Sequence, residues 1–186
     1  DAQESRGLGD VYKRQLLVLA TMWLERREVV KGRNEQRRQI LFGIGVIAFF
    51  ASIPYFYDGM VSGADLTYHL HRIEGVKDGL LTGQFPVRLE PRWVFDHGYA
   101  NGIFYCNLLL YFPALLRMAG FTMTESYAFY CIGLNIATAA IAWYCFSGIF
   151  KDRIIGLVCS ALYTLSIFRF FKLVMVGAVG EGSAYT

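Results

Sequence analysis

Asp65, His69 and Arg72 fall at i, i+4 and i+7, a spacing that on a helix sets a carboxylate, an imidazole and a guanidinium on one face. A carboxylate held there can take a proton from an attacking hydroxyl, while the neighbouring cation holds an anionic leaving group. The same residues have a plainer account. Ser62-Gly63-Ala64-Asp65 is also a capping-box pattern, in which Asp65 satisfies backbone amides and favours the helix dipole. Further on, residues 83–93 alternate apolar and polar side chains and are held extended by Pro86 and Pro91, which brings Arg88, Arg92 and Trp93 near one another. A guanidinium chelates phosphate oxygens through two parallel bonds and tryptophan sits well at headgroup depth. The set therefore suits an anionic lipid phosphate, or ordinary interfacial anchoring. The following aromatic, turn-rich run, 95–105, ends in Tyr105 and has the composition of a loop lining a pocket.

All three histidines, His69, His71 and His97, lie in this one stretch, so a metal has to be weighed. On a helix His69 and His71 diverge by roughly 200°, which disfavours a shared ion, and Asp96-His97 adds one ligand without the spacing of a strong zinc site. A phosphate-binding Gly-rich loop, a Gly-x-Ser-x-Gly elbow and a His-Glu-x-x-His pair are all absent from the sequence.

The elements that must position these groups are apolar. Of 186 residues, 55% are hydrophobic, with 15 Phe and 12 Tyr against 15 acidic side chains, a poor fit to a soluble domain. Residues 40–57 carry no charge and come close to the ~20 needed to cross a bilayer. Residues 127–150 are longer and equally uncharged. Residues 154–168 are shorter, and extend through Arg169 and Lys172 if those side chains snorkel to headgroups or face a polar cavity. Leu66, Leu70, Ile73, Val76 and Leu80 recur at helical spacing and form a stripe suited to resting on lipid or on the spans.

Charge placement sets the expected orientation. Residues 25–39 hold six Arg or Lys against three Glu, with no aromatic interleaving, so the patch reads as a cytoplasmic flank and not as a nucleic-acid surface. Residues 40–57 then run outward. Residues 104–118 contain Asn107 and Pro113 and are short for a span, so they are expected at the interface. On that reading 127–150 runs inward, Lys151-Asp152-Arg153 forms a cytoplasmic turn, and 154–168 returns Arg169, Lys172 and Glu181 to the outer side. The four cysteines lie in apolar surroundings without Cys-x-x-Cys spacing and read as small buried hydrophobes.

Asp10 to Gln15 reads as the translation of a common sequencing-adapter end, so residues 1–15 are set aside as an artefact. Residues 16–39 then read as a severed helix end, 16–24, followed by the basic segment. Residues 40–186 read as the N-terminal part of a membrane domain with an outer loop at about 58–126.

Three runs together carry a resemblance: Asp65 to Gly75 with Tyr68, His69 and Arg72; Gly79 to Arg88 with Gln84, Phe85 and Pro86; and Gly98 to Tyr105. They look like the first outer loop of large bacterial membrane proteins similar to the YfhO group, some of which carry the label "6-pyruvoyl-tetrahydropterin synthase-related". The zinc chemistry in that label finds no support in the order or composition here. The resemblance implies an all-α, GT-C glycosyltransferase-like architecture, with many transmembrane helices and a first outer loop containing amphipathic juxtamembrane helices. It implies a multi-pass protein of the bacterial cell membrane that moves a sugar from a polyprenyl-phosphate-linked donor to an outer-face acceptor. In that family the acidic residue of the outer loop acts as base or metal ligand. Asp65 is the matching carboxylate, and Glu181 falls where a second one begins the next outer loop. His69, Arg72, Arg88, Arg92, Trp93, Tyr105 and Lys172 are the expected substrate-binding residues. Asp65 has no adjacent acidic partner, which leaves a divalent metal cofactor open. The competing expectation from another class is a non-catalytic membrane scaffold or transporter subunit that binds anionic lipid.

Overall fold

The computed structural model describes residue 32, residues 34–57, residue 63 and residues 65–186. The adapter-like residues 1–15, the stub 16–24, much of the basic segment, Asp58 and Ser62 lie outside the described residues. The chain divides into two compact units, 1–42 and 43–186. What is described of the first is helical, with Arg38 and Glu35 paired at 3.4 Å on an exposed face. Every named element among the described residues is helical, and their one extended pairing is an isolated bridge between Glu90 and Tyr99. The expected all-α class is therefore observed.

Among the described residues, two helices are long and apolar enough to cross a membrane. These are α1, Asn34–Phe56, with mean hydropathy 1.8, and the 28-residue Met123–Phe150, mean hydropathy 1.5, which becomes α4 once the intervening helices are numbered. At 1.5 Å per residue α4 is about 42 Å long, against ~30 Å of hydrocarbon. Its start is fixed by a reciprocal cap, in which the Thr122 hydroxyl accepts from the Glu125 amide and the Glu125 carboxylate accepts from the Thr122 amide. Its end is a left-handed Lys151. Asp152 then caps the next helix by accepting from the amides of Ile154 and Ile155 at 2.7 and 2.9 Å. The charged triplet 151–153 is thus the tight turn expected there, because left-handed Lys151 turns the chain out of α4 and the Asp152 carboxylate satisfies the amides that start the next helix.

Between the two long helices lie α2, Leu66–Leu81, and α3, Leu108–Met118. At 11 residues α3 spans about 16 Å, half the hydrocarbon thickness, in line with the expectation that 104–118 does not cross. The stripe on α2 packs inward onto protein. Leu66, Ile73 and Val76 are buried with Val87, Leu110, Ala114, Tyr127, Tyr130 and Leu134, and Leu70 and Leu80 pack against them. Each fully buried aliphatic side chain there contributes about 1.5–3 kcal/mol.

The returning pair is α5, Arg153–Thr164, and α6, Ile167–Val176, bent by 44° at Leu165-Ser166. It is either a broken span or a re-entrant segment by geometry. A β-carbon on Gly156 would meet the Ser147 hydroxyl at 2.1 Å, so this glycine lets α5 lie against α4. The second half of α6, Phe171–Val176, is wound as a π-helix. The short α7, Val179–Ala184, follows a left-handed Gly177.

Candidate functional site

The site is built where the start of α2, the loop around Tyr105 and α7 meet. The Asp65 amide donates to the Val176 carbonyl at 3.0 Å, which ties the start of α2 to the end of α6. Lys172, one turn earlier on α6, forms an ion pair with Glu181 of α7 at 2.7 Å. Behind this pair lies a cavity of about 460 Å³, lined among others by Arg72, Tyr105, Leu109, Tyr130, Glu181 and Ser183. Gly180 sits so close to the Tyr105 hydroxyl that a β-carbon would overlap it at 1.9 Å, which sets how tightly α7 closes on the loop.

Arg72 is wholly buried in the cavity wall and is held by the protein itself. Its Nη2 donates to the Cys106 carbonyl at 3.2 Å, to the Tyr105 carbonyl at 3.4 Å and to Asn107 Oδ1. The Tyr105 ring lies 4.1 Å from the guanidinium carbon. On the other side Arg72 Nε stands 3.9 Å from Glu90 Oε1, both side chains being fully enclosed. Glu90 Oε2 accepts from the Trp93 indole at 2.6 Å. Burial pushes the Glu90 carboxyl above the usual range, and the Trp93 hydrogen bond and the Arg72 charge only partly offset this. The room for Glu90 comes from α2. A β-carbon on Gly75 would meet Glu90 at 2.9 Å, and one on Gly79 would meet Val87 at 2.5 Å, so the Gly75-x-x-x-Gly79 face seats the loop directly on the helix backbone.

His69 is 3% exposed, with its Nδ1 3.5 Å from Arg72 Nη1. Tyr68 and Tyr105 pack on its ring at 5.3 and 6.1 Å between centroids. An arginine donates and never accepts, so the imidazole is neutral with its proton on Nε2. Burial first, then the Arg72 charge, lowers the His69 pKa from 6.5 to about 4, against a smaller opposing pull from Asp65. Because the folded value is the lower one, the unfolded chain takes up the proton first as pH falls. Stability contributed by neutral His69 is therefore complete above pH 6.5 and is lost progressively toward pH 4. Melting temperature measured from pH 7 to 4 should fall across that window, and His69→Gln should flatten the fall.

Of the residues expected to bind substrate, Arg72, Tyr105 and Lys172 are brought to the cavity or its rim, with His69 directly behind Arg72. Glu181 is the carboxylate that lines the cavity. Asp65 is exposed at the first position before α2, and its carboxylate makes no capping bond. It does not line the cavity, yet it lies near enough to Lys172 and His69 to act on both electrostatically. Arg92 is drawn away to α2, where it pairs with Asp78 and stands 3.7 Å from Glu74. Trp93 stacks among Tyr68, His71 and Tyr99. Arg88 is exposed, and its side chain has no hydrogen bond or ion pair among the described residues. His69 is buried and His71 exposed, so the two rings diverge as helical spacing requires. No three His, Cys, Asp or Glu residues among the described ones are grouped so as to hold a metal ion.

Three residues that sequence reasoning passed over shape this region. Glu90 neutralises Arg72, and Asn107 fixes it while donating to the Val87 carbonyl at 3.3 Å. Glu74 gathers Lys77 at 2.7 Å, Arg92 and Arg117 around one carboxylate. The legible signal for Glu90 was the Gly75/Gly79 pair, which announces close approach of another backbone. In comparisons with protein-family models, curated proteins and solved structures, nothing matches this chain.

Proposed function

We propose that this chain is part of a multi-pass bacterial membrane glycosyltransferase-like protein that takes a sugar from a polyprenyl-phosphate-linked donor at the outer face. The observation that carries the reading is the Lys172–Glu181 pair, 2.7 Å apart, at the rim of a largely apolar 460 Å³ cavity beside helices long enough to cross a bilayer. An apolar wall suits a lipid-borne donor, and an ammonium beside a carboxylate supplies the two charges that sugar transfer needs. Glu181 accepts the proton of the acceptor hydroxyl as its oxygen bonds to the anomeric carbon. The anomeric carbon–oxygen bond to phosphate breaks, and the polyprenyl phosphate leaves with the electron pair, its new charge met by Lys172. Arg72 acts as a positioning residue, since its donors are already engaged in holding the cavity wall. Asp65 tunes Lys172 from outside the cavity, and exposed Arg88 is available to a lipid phosphate.

The test is Glu181→Gln and Asp65→Asn in the full chain in cells, with surface glycan composition and protein abundance measured together. Glu181→Gln at normal abundance should slow transfer by roughly 10²–10⁴-fold, the worth of a general base, and Asp65→Asn by less. Unaltered glycan with normally abundant Glu181→Gln protein would overturn the catalytic reading and favour the lipid-binding scaffold.

A further inference from the structure

A second, smaller cavity lies inside the helix bundle, at the bend between α5 and α6 and away from the Lys172–Glu181 rim. Its volume is about 90 Å³, and its wall includes Tyr55, Asn135, Thr164 and Arg169. Arg169 is 4% exposed, yet every partner it has among the described residues is neutral. Nη1 donates to Asn135 Oδ1 at 2.8 Å and to the Thr164 carbonyl at 3.4 Å, and Nη2 donates to the Thr138 hydroxyl at 2.7 Å. Asn135 is itself oriented by donating its amide to Ser52 Oγ and the Ala51 carbonyl, both at 3.1 Å, so its oxygen is committed to the guanidinium. Arg169 Nε is left without any partner, and so is the hydroxyl of Thr164, a residue only 2% exposed.

A guanidinium enclosed by apolar helices carries a desolvation cost of several kcal/mol, which neutral dipoles lower but do not cancel. Carboxylates normally supply the difference, and Arg169 forms no ion pair among the described residues. The cavity beside it is small. At about 90 Å³ it is large enough to take a monovalent ion. Arg169 Nε and the Thr164 hydroxyl are both donors without a partner, and donors on the wall of a small enclosed cavity suit a monovalent anion.

We propose that the cavity at the α5–α6 bend binds a halide ion, chloride in the cell, as the counter-ion of Arg169. The ion completes the Nε and Thr164 hydrogen bonds and makes the interior of the bundle electrically neutral. It thereby holds the bend that leads into Lys172. This site is independent of the sugar-transfer reading, because it uses none of the groups assigned there.

The experiment is thermal unfolding of the full chain in detergent, in sodium chloride against sodium gluconate at equal ionic strength, so that surface screening is the same in both. Chloride or bromide should raise the melting temperature by about 2–4 °C, through binding to the folded form alone. Thr164→Val, which keeps the shape and removes the donor, should shrink that difference. Arg169→Gln, if it folds, should abolish it, and if it does not fold Thr164→Val decides. Equal melting of the wild type in the two salts overturns the proposal. A chloride effect undiminished in Thr164→Val overturns it too, by placing the ion elsewhere.

Discussion

Replacing Arg72 with leucine is expected to cost about 3–5 kcal/mol, read as a large fall in melting temperature in detergent. The loss has two sources that the geometry separates. Glu90, enclosed at 0% exposure, would have to hold a charge with no cation near it or take up a proton, and the Tyr105 and Cys106 carbonyls and Asn107 Oδ1 would lose their common donor. Adding Glu90→Gln removes the stranded charge while leaving an oxygen to accept from the Trp93 indole. The double variant should therefore lose clearly less than the sum of the single ones. Strict additivity would mean that the two side chains do not sense each other across 3.9 Å. Melting of Arg72→Leu within a degree of the wild type would show that the network is not what closes the cavity wall.

Glu74→Gln is the second substitution with a large expected effect, about 2–3 kcal/mol, again by thermal unfolding. The carboxylate accepts from Lys77 and Arg117 and stands 3.7 Å from Arg92, so its neutralisation leaves three cations crowded at one point. It joins the α2 helix to the end of α3 through Arg117 and to the loop through Arg92, and both joints would loosen together. Burial alone would raise the Glu74 pKa, but the hydrogen bonds and charges of Lys77 and Arg117 outweigh it and hold the carboxyl below the usual 4.5. A depressed carboxyl contributes stability that is complete above its unfolded value and is lost as pH falls through the folded one. The acid limb due to Glu74 therefore lies below about pH 4.5, whereas that of His69 runs from 6.5 down to about 4. Glu74→Gln should abolish the lower limb and leave the upper one in place.

The large features were readable because they rest on one-dimensional patterns. The uncharged run 127–150, ended by Lys151, can only be a long apolar helix, and three charged residues between two such runs can only be a turn. The stripe from Leu66 to Leu80 is likewise a periodicity, although periodicity could not say that its cover would be Val87 and α3 in place of lipid. The site was less legible, because burial of charge depends on partners distant in sequence. Alternation over 83–93 puts Arg88 and Glu90 on one face, yet Arg88 is exposed and Glu90 enclosed. The Glu90–Tyr99 bridge and the bare backbone at Gly75 draw the glutamate in, and neither is local. Arg169 shows the same limit. A lone arginine in an apolar run reads equally well as snorkelling or as facing a polar interior, and only Asn135 and Thr138, more than thirty residues earlier, decide for the interior.

Arg169 and Lys172 stand three residues apart, yet one serves a cavity inside the bundle and the other the rim of the larger cavity. Phe171–Val176, wound with i to i+5 hydrogen bonding, takes up about one residue more over the same rotation than an α-helix would. Tightening all six residues to α geometry would rotate everything downstream by about 100°. Glu181 would then leave the rim, and the Asp65 amide would lose the Val176 carbonyl. Between the two cavities the winding of the chain is thus as tightly constrained as the identity of its residues.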